Sequence, residues 1–262
     1  MVQEDNSGKR IRTLAHVEKI LEIVRDELVK KPPTIGLVGV SGVGKSSTIN
    51  AMFKTDLPTS DTVACTKTFQ STDVDLELVQ GEAKSTKTVL RVYDAPGLGE
   101  DISKDDEYLE MYKKWLPECD VVLWVMSARQ RAVALDQQYL KILAPLHSKF
   151  VFGINQVDLV EPRDWVESVN LPSREQETNS EIIRRDRLAR ISDVLGHEPP
   201  MVCYSAKHGY QLLKLFTVIL ESCPSNRAWI FHGLRNFDPH QFQRITWTGS
   251  GGLLSRLFRR KS

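Results

Sequence analysis

Gly39-Val40-Ser41-Gly42-Val43-Gly44-Lys45-Ser46 constrains this chain more than any other stretch of its sequence. The pattern G-x-x-x-x-G-K-[ST] stands between an apolar run, residues 35–40, and a segment of helical character, residues 45–54. A loop of this kind requires a strand that ends at it and a helix that starts from it, with free N–H groups turned inward. Its glycines let the backbone wrap a phosphate chain, and the helix N-terminus adds a positive field. Lys45 in such a loop reaches the β- and γ-phosphates of a nucleoside triphosphate, and the Ser46 hydroxyl ligates Mg²⁺. Gly39, Ser41, Gly42, Val43, Gly44 and Ser47 complete the expected cradle. The bland alternative is a glycine turn that binds nothing. With glycine at about 7% of residues, a chance match in a chain this long is on the order of one in a hundred.

The remaining pattern suits that unit. Short apolar runs at 89–93, 121–126, 150–154 and 201–204 join 35–40 as strands buried on both faces, the mark of a parallel sheet. Segments 104–116, 133–146 and 208–222 read as further helices. Residues 69–80 alternate Val74, Leu76 and Leu78 with Asp73, Asp75 and Glu77, as an antiparallel edge strand does, with a turn at Gly81. The expected fold is a doubly wound α/β domain over 33–223, its sheet mostly parallel with one antiparallel edge strand. Residues 161–197, highly charged and partly helical, read as an insertion. Before the domain, within 1–32, Leu14, Val17, Leu21, Val24 and Leu28 form one apolar stripe on an amphipathic helix, which Pro32-Pro33 stops. Packing on the domain is the plain reading of that stripe; a short dimerising coiled coil is the sharper one.

The base must be read from elsewhere. Asp94-Ala95-Pro96-Gly97 follows a strand, which places a carboxylate to hold Mg²⁺ through water and the Gly97 N–H near a γ-phosphate. Asn155-Gln156-Val157-Asp158 follows another, at the sheet edge where ligands bind. A carboxylate at Asp158 can accept from both N1–H and the exocyclic amine of guanine, a pair that adenine lacks. Ser205-Ala206-Lys207 follows the last strand and can offer a backbone N–H to guanine O6. Each of these two is weak alone, because Asn and Asp after a strand are ordinary turn formers. Four motifs in order, each after a strand, point strongly to GTP and GDP.

On these motifs the sequence resembles the translation-factor-related, Era-like GTPases. Within them it is similar to the bacterial prophage-associated, ribosome-binding-type group, through residues 39–46, Ala64-Cys65-Thr66, Asp94-Ala95-Pro96-Gly97-Leu98-Gly99-Glu100 and Asp120-Val121-Val122-Leu123-Trp124. The likeness covers about 33–223 and is specific to GTP, not to a biological task. It implies that Thr66 is the switch threonine closing on Mg²⁺ and the γ-phosphate, with Thr62 and Thr68 as rivals. The metal set is then Ser46, Thr66 and Asp94, and the catalytic set Lys45, Thr66 and Gly97. Two residues depart from the family pattern. Gln156 replaces the usual lysine, which keeps a stem over the guanine face and loses the cation. Leu98 stands where Ras-like enzymes carry the glutamine that orients the attacking water, and leucine cannot do that. Some Era-like enzymes recruit K⁺ through an asparagine at the fourth loop position; Gly42 stands there here, so K⁺ activation is not expected. Arg129 and Arg131 are candidate catalytic supplements, against the plainer reading of solvated loop arginines. Glu100, Asp101, Asp105, Asp106 and Glu107 read as the opening of the next helix, with Ser103 as its N-cap.

Composition sets outer limits. The longest apolar run, 121–126, is far short of the roughly 20 residues of a membrane-spanning helix, and the polar N-terminus lacks the form of a secretory signal. A cytoplasmic protein is expected. Cys65, Cys119, Cys203 and Cys223 lie far apart and suit neither a disulfide framework nor a zinc site. The formal charge of +1 is uneven: residues 224–262 hold seven basic side chains against Asp238, or +6, which leaves −5 on the first 223. Residues 224–248 are rich in aromatics that suit docking on the domain. Beyond a glycine joint at 249–252, Leu253, Leu254, Leu257 and Phe258 share a helical face opposite Arg256, Arg259, Arg260 and Lys261. That composition fits an anionic partner, a membrane surface or RNA, and equally a packed or frayed terminus. Three functions compete: a GTP-hydrolysing switch acting alone, as a homodimer or with an activating protein; a septin- or dynamin-like assembly protein, peripheral at a membrane; and an ATP-using enzyme, which the base motifs disfavour.

Overall fold

A computed structural model describes residues 26–57, 59, 70–80, 84–99, 102–130, 133–146, 148–224 and 227. Six strands form one sheet: β1 Thr34–Val38, β2 Gln70–Gln80, β3 Lys84–Asp94, β4 Val121–Ser127, β5 Phe150–Asn155 and β6 Met201–Cys203. Their spatial order is β2-β3-β1-β4-β5-β6. Only β2 pairs antiparallel, with β3; every other neighbouring pair is parallel. The helices are α1 Lys45–Phe53, α2 Ile102–Trp115, α3 Ala134–Leu143, α4 Arg174–Leu195 and α5 Leu212–Glu221. The expected mostly parallel α/β fold is the one observed.

The core follows from burial of the central strands. All residues of β1, β4 and β5 are buried, so both faces of these strands must be apolar, and helices cover them. α1 packs beside α5, with Phe53 edge-on to Phe216, and α3 packs beside α4. Gly36 in β1 is required by a neighbour: a Cβ there would stand 2.4 Å from Trp115 Cζ3. Trp115 of α2 uses that gap to lie against the sheet.

At the N-terminal edge of the sheet, Asp120 is a buried fastening. Its carboxylate accepts from Thr34 N at 2.9 Å and pairs with Arg227 at 2.6 Å, and Arg227 Nη2 donates to Lys31 O at 2.9 Å. Residues 26–30 are helical with Leu28 buried, the described end of the amphipathic N-terminal segment. The rest of that segment, and the tail apart from 224 and 227, lie outside the described residues.

Several expectations change. The 161–197 segment is the β5-to-β6 connection: residues 161–173 form a looped stretch with a Val166–Leu171 bridge, and α4 is the 22-residue crossover helix that a parallel pair needs. β1 stops at Val38, and Val40 instead bridges to Leu98. Ser103 lies inside α2, which begins at Ile102, so it is not the cap of that helix. Among the described residues no helix is long and apolar enough to cross a membrane.

Candidate functional site

The phosphate loop runs from the end of β1 to the start of α1 and is shaped by what cannot fit there. Gly39, Gly42 and Gly44 have φ of 151°, 76° and 88°, values that L side chains rarely adopt. A Cβ on Gly39 would come within 2.3 Å of the Val125 carbonyl oxygen, and one on Gly44 within 2.5 Å of Asn155 Nδ2. Lys45 is buried, and its Nζ donates to Gly39 O at 3.1 Å and Val40 O at 3.2 Å, folded back over its own loop. Ser46 Oγ donates to Asp94 Oδ2 at 2.6 Å. Hydroxyl and carboxylate oxygens so placed form a donor set that suits Mg²⁺, a hard cation held by few protein oxygens. Val43 is buried in the loop; Ser41 and Ser47 are half-buried and Gly42 is exposed.

The turn after β3 is sewn to this loop by backbone. Ser41 N donates to Leu98 O at 3.1 Å and Leu98 N to Gly39 O at 3.3 Å. Gly97 lies flat on Ser41, where a Cβ would approach the Ser41 Cα to 2.5 Å. Leu98 turns its side chain wholly into the core, so the position that orients water in Ras-like enzymes does not face the phosphate side at all. Gly99, at φ 73°, donates its N–H to Asp105 Oδ1 at 3.0 Å, and Tyr139 OH donates to Asp105 Oδ2 at 2.5 Å. Burial first, and Asp105 second, push the Tyr139 phenol up to about 12.

The base side is built from side chains. Asn155, at the end of β5, donates from Nδ2 to Val43 O at 3.0 Å and accepts on Oδ1 from Ala206 N at 3.0 Å. One carboxamide thus joins the phosphate loop to the 205–207 loop, and of the backbone N–H groups of that loop the one at Ala206 is given to Asn155. Gln156, at φ 66°, accepts from Ser127 Oγ at 2.5 Å and donates to Gly42 O at 3.3 Å. Asp158 is buried and accepts from Ser205 Oγ at 2.7 Å; Lys207 is exposed. Two supports of the base side carry no motif in the sequence. Gln176 at the start of α4 donates to both Asp158 O and Val160 O at 3.0 Å. Trp165 stacks on His208 at a centroid distance of 4.4 Å, and Asn170 donates to His208 O at 2.8 Å, so the 161–173 stretch buttresses the last base loop.

Lys45, Ser46, Asp94 and Gly97 therefore come together at the C-terminal edge of β1 and β3, and Asn155, Gln156, Asp158, Ser205 and Ala206 at that of β5 and β6. Arg129 is exposed on the loop after β4, and Arg187 of α4 donates to the neighbouring Gln130 carbonyl. Thr66, its rivals Thr62 and Thr68, and Arg131 lie outside the described residues.

The strand-loop-helix turn, the aspartate turn and the two further loops on one sheet edge are arranged as in a P-loop GTPase domain. Residues 34–156 match the family model described as 50S ribosome-binding GTPase. The uncharacterized protein YfjP of Escherichia coli K12 is 35% identical over 165 residues, 62% of this chain and 53% of YfjP. YkfA of the same strain, likewise uncharacterized, is 34% identical over 148 residues, 55% of this chain and 48% of YkfA. The chain spans about half the length of these curated relatives. A crystal structure of an Aquifex aeolicus Era variant bound to GDP·AlF₄⁻ superposes with a TM-score of 0.53 over 73% of this chain and 57% of Era; at 21% identity it shares the fold.

Proposed function

We propose that this chain is a molecular switch that binds GTP with Mg²⁺ and hydrolyses it to GDP, slowly without a partner or self-association. The observation that carries this reading is Asn155, which locks the phosphate loop and the 205–207 loop into one site. Asp158 stands in the base half of that site, where its carboxylate would receive the two guanine donors. Lys45 would leave its loop carbonyls for the β- and γ-phosphate oxygens, and Gly97 would offer its N–H to the γ-phosphate. Ser46 and Asp94 would hold Mg²⁺, which neutralises charge developing on the phosphates when bound. Thr66 would close over the same phosphate. The switch regions, about 56–69 and 94–106, would order around the γ-phosphate and relax after hydrolysis.

The buried Leu98 supplies no group to orient the attacking water. Intrinsic turnover is therefore expected to be slow, and an added arginine is worth about 10³ to 10⁵ in kcat in related systems. Arg129 is the exposed described candidate. Hydrolysis measured across a range of protein concentrations tests this. A specific activity that rises with concentration, and loses the rise in Arg129→Ala, supports self-association. Activity that stays flat and responds to a purified activator assigns the missing group to a partner. Fast turnover by dilute protein contradicts the proposed rate.

A further inference from the structure

Besides Asp105, which holds Gly99, the α2 helix reaches the turn that carries Gly97 through a buried hydroxyl. Tyr112 has no exposed surface, and its OH donates to the Pro96 carbonyl oxygen at 2.7 Å. Pro96 C=O and Gly97 N–H are the two ends of a single peptide unit. The one cis peptide among the described residues is elsewhere, at Glu161-Pro162, so this unit is planar and trans and its C=O and N–H point in opposite directions. Holding the carbonyl on one side therefore fixes where the N–H aims on the other. Gly97 lies close against Ser41, where a Cβ would reach backbone at 2.5 Å, so the turn is pressed on the phosphate loop from the other side.

The Tyr112 ring is itself fixed. It packs on Trp115, one turn along α2, at a centroid distance of 5.3 Å, and Trp115 packs on Tyr93 at 5.7 Å and fills the gap over Gly36. Burial, with the nearby Asp94 charge adding, keeps the phenol protonated far above its ordinary range, so it remains a donor throughout the working pH range.

We infer that Tyr112 is a positioning residue for triphosphate recognition: through the Pro96–Gly97 peptide it aims the Gly97 N–H at the γ-phosphate and so helps the site to distinguish GTP from GDP. This rests on the GTP-binding reading above and assigns a task to a residue outside the four motifs. GDP carries no γ-phosphate, so its affinity should not depend on the aim of that N–H.

The test is Tyr112→Phe in the full chain, which deletes the oxygen and keeps the ring. Affinities for GDP and for a non-hydrolysable GTP analogue are measured with Mg²⁺, beside Tyr204→Phe as a reference. Tyr204 is also wholly buried, but its hydroxyl meets Thr48 Oγ1 in α1 at 2.8 Å and not the turn. The expected result is a roughly tenfold weaker grip on the analogue, the scale of one strong hydrogen bond, with GDP affinity within about twofold of the parent. Tyr204→Phe should leave the ratio of the two affinities at the parent value. In the parent chain, amide exchange at Gly97 should slow when GDP is replaced by the analogue, a measurement that stands even if the variant does not fold. An unchanged ratio in Tyr112→Phe, a loss shared equally by both nucleotides, or unchanged exchange at Gly97 overturns the role of Tyr112 while GTP binding stands. A parent that binds neither nucleotide overturns both.

Discussion

The two halves of the candidate site are built by different means. The phosphate half, residues 39–46 with 94–99, is backbone laid on backbone: Ser41 and Leu98 exchange main-chain hydrogen bonds with this loop and turn, and Gly39 and Gly97 sit where a single added carbon would strike main-chain atoms. The base half is held by side chains, in a chain from Ser127 through Gln156 to Gly42, and another from Ser205 to Asp158. Backbone contacts leave little latitude for substitution, so residues 39–46 read letter for letter, and the departure at Leu98 falls on a side chain while its main-chain bonds to the loop are kept. Side-chain contacts can be replaced by others of similar reach, and there the sequence departs from the pattern it resembles, with Gln156 in place of lysine.

Of the changes that test this contrast, Gly97→Ala should be the most damaging. The new methyl group must displace Ser41 or the turn, so GTP affinity should fall by at least about a hundredfold, the equivalent of about 2.7 kcal/mol, as titration calorimetry would show. A smaller loss than that of any base-side variant would undo the contrast between the halves. Asp158→Asn acts on the side-chain half and should alter choice more than strength: an amide can donate to a 2-oxo group, so preference should move from guanine towards xanthine nucleotides. Competition binding with both nucleotides measures it. Gln156→Lys should be milder still. Lysine can reach the Gly42 carbonyl but cannot accept from Ser127, which exchanges one hydrogen bond for a cation over the base; a change in GTP affinity within about tenfold is expected.

The smallest effect lies away from the site, on α4. Hydrogen bonds from Arg184, and then Arg185, pull the Glu181 carboxyl down to about 2 from its ordinary 4.5. A depressed native value means that the stabilisation is fully present above 4.5 and fades as pH falls towards 2. The Glu181 side chain is 41% exposed, however, and solvent screens the pair, so it is worth less than about 1 kcal/mol. Glu181→Gln should lower Tm at neutral pH by no more than about 4 °C, and by less at about pH 3.

The contrast between backbone and side-chain construction also explains what was legible in the sequence. The central strands could be read because burial on both faces leaves unbroken apolar runs such as residues 121–126 of β4. α4 could not be read as a crossover helix because three of its four buried residues, Gln176, Ser180 and Arg187, are polar, and only Ile191 is apolar. No apolar stripe marks its inner face. Its ends were written plainly: Ser173 caps the Gln176 N–H three residues on, and Gly196 closes the helix at φ 75°. The Asn155 brace and the Tyr112 contact with Pro96 join residues far apart in the chain or in different elements, which no local pattern encodes. At Leu98 the sequence shows the loss of a water-orienting group, and the burial of that side chain is visible only in the fold.

The central claim, a guanine-specific triphosphate site on this sheet edge, is tested most directly by titration calorimetry of GTP and ATP with Mg²⁺ against the parent chain and Lys45→Ala. The account predicts micromolar or tighter GTP binding by the parent, ATP binding weaker by at least about a hundredfold because Asp158 would meet no adenine donors, and loss of tight GTP binding in a Lys45→Ala protein that remains folded. Equal affinities for GTP and ATP, or undiminished GTP binding by folded Lys45→Ala, would contradict it.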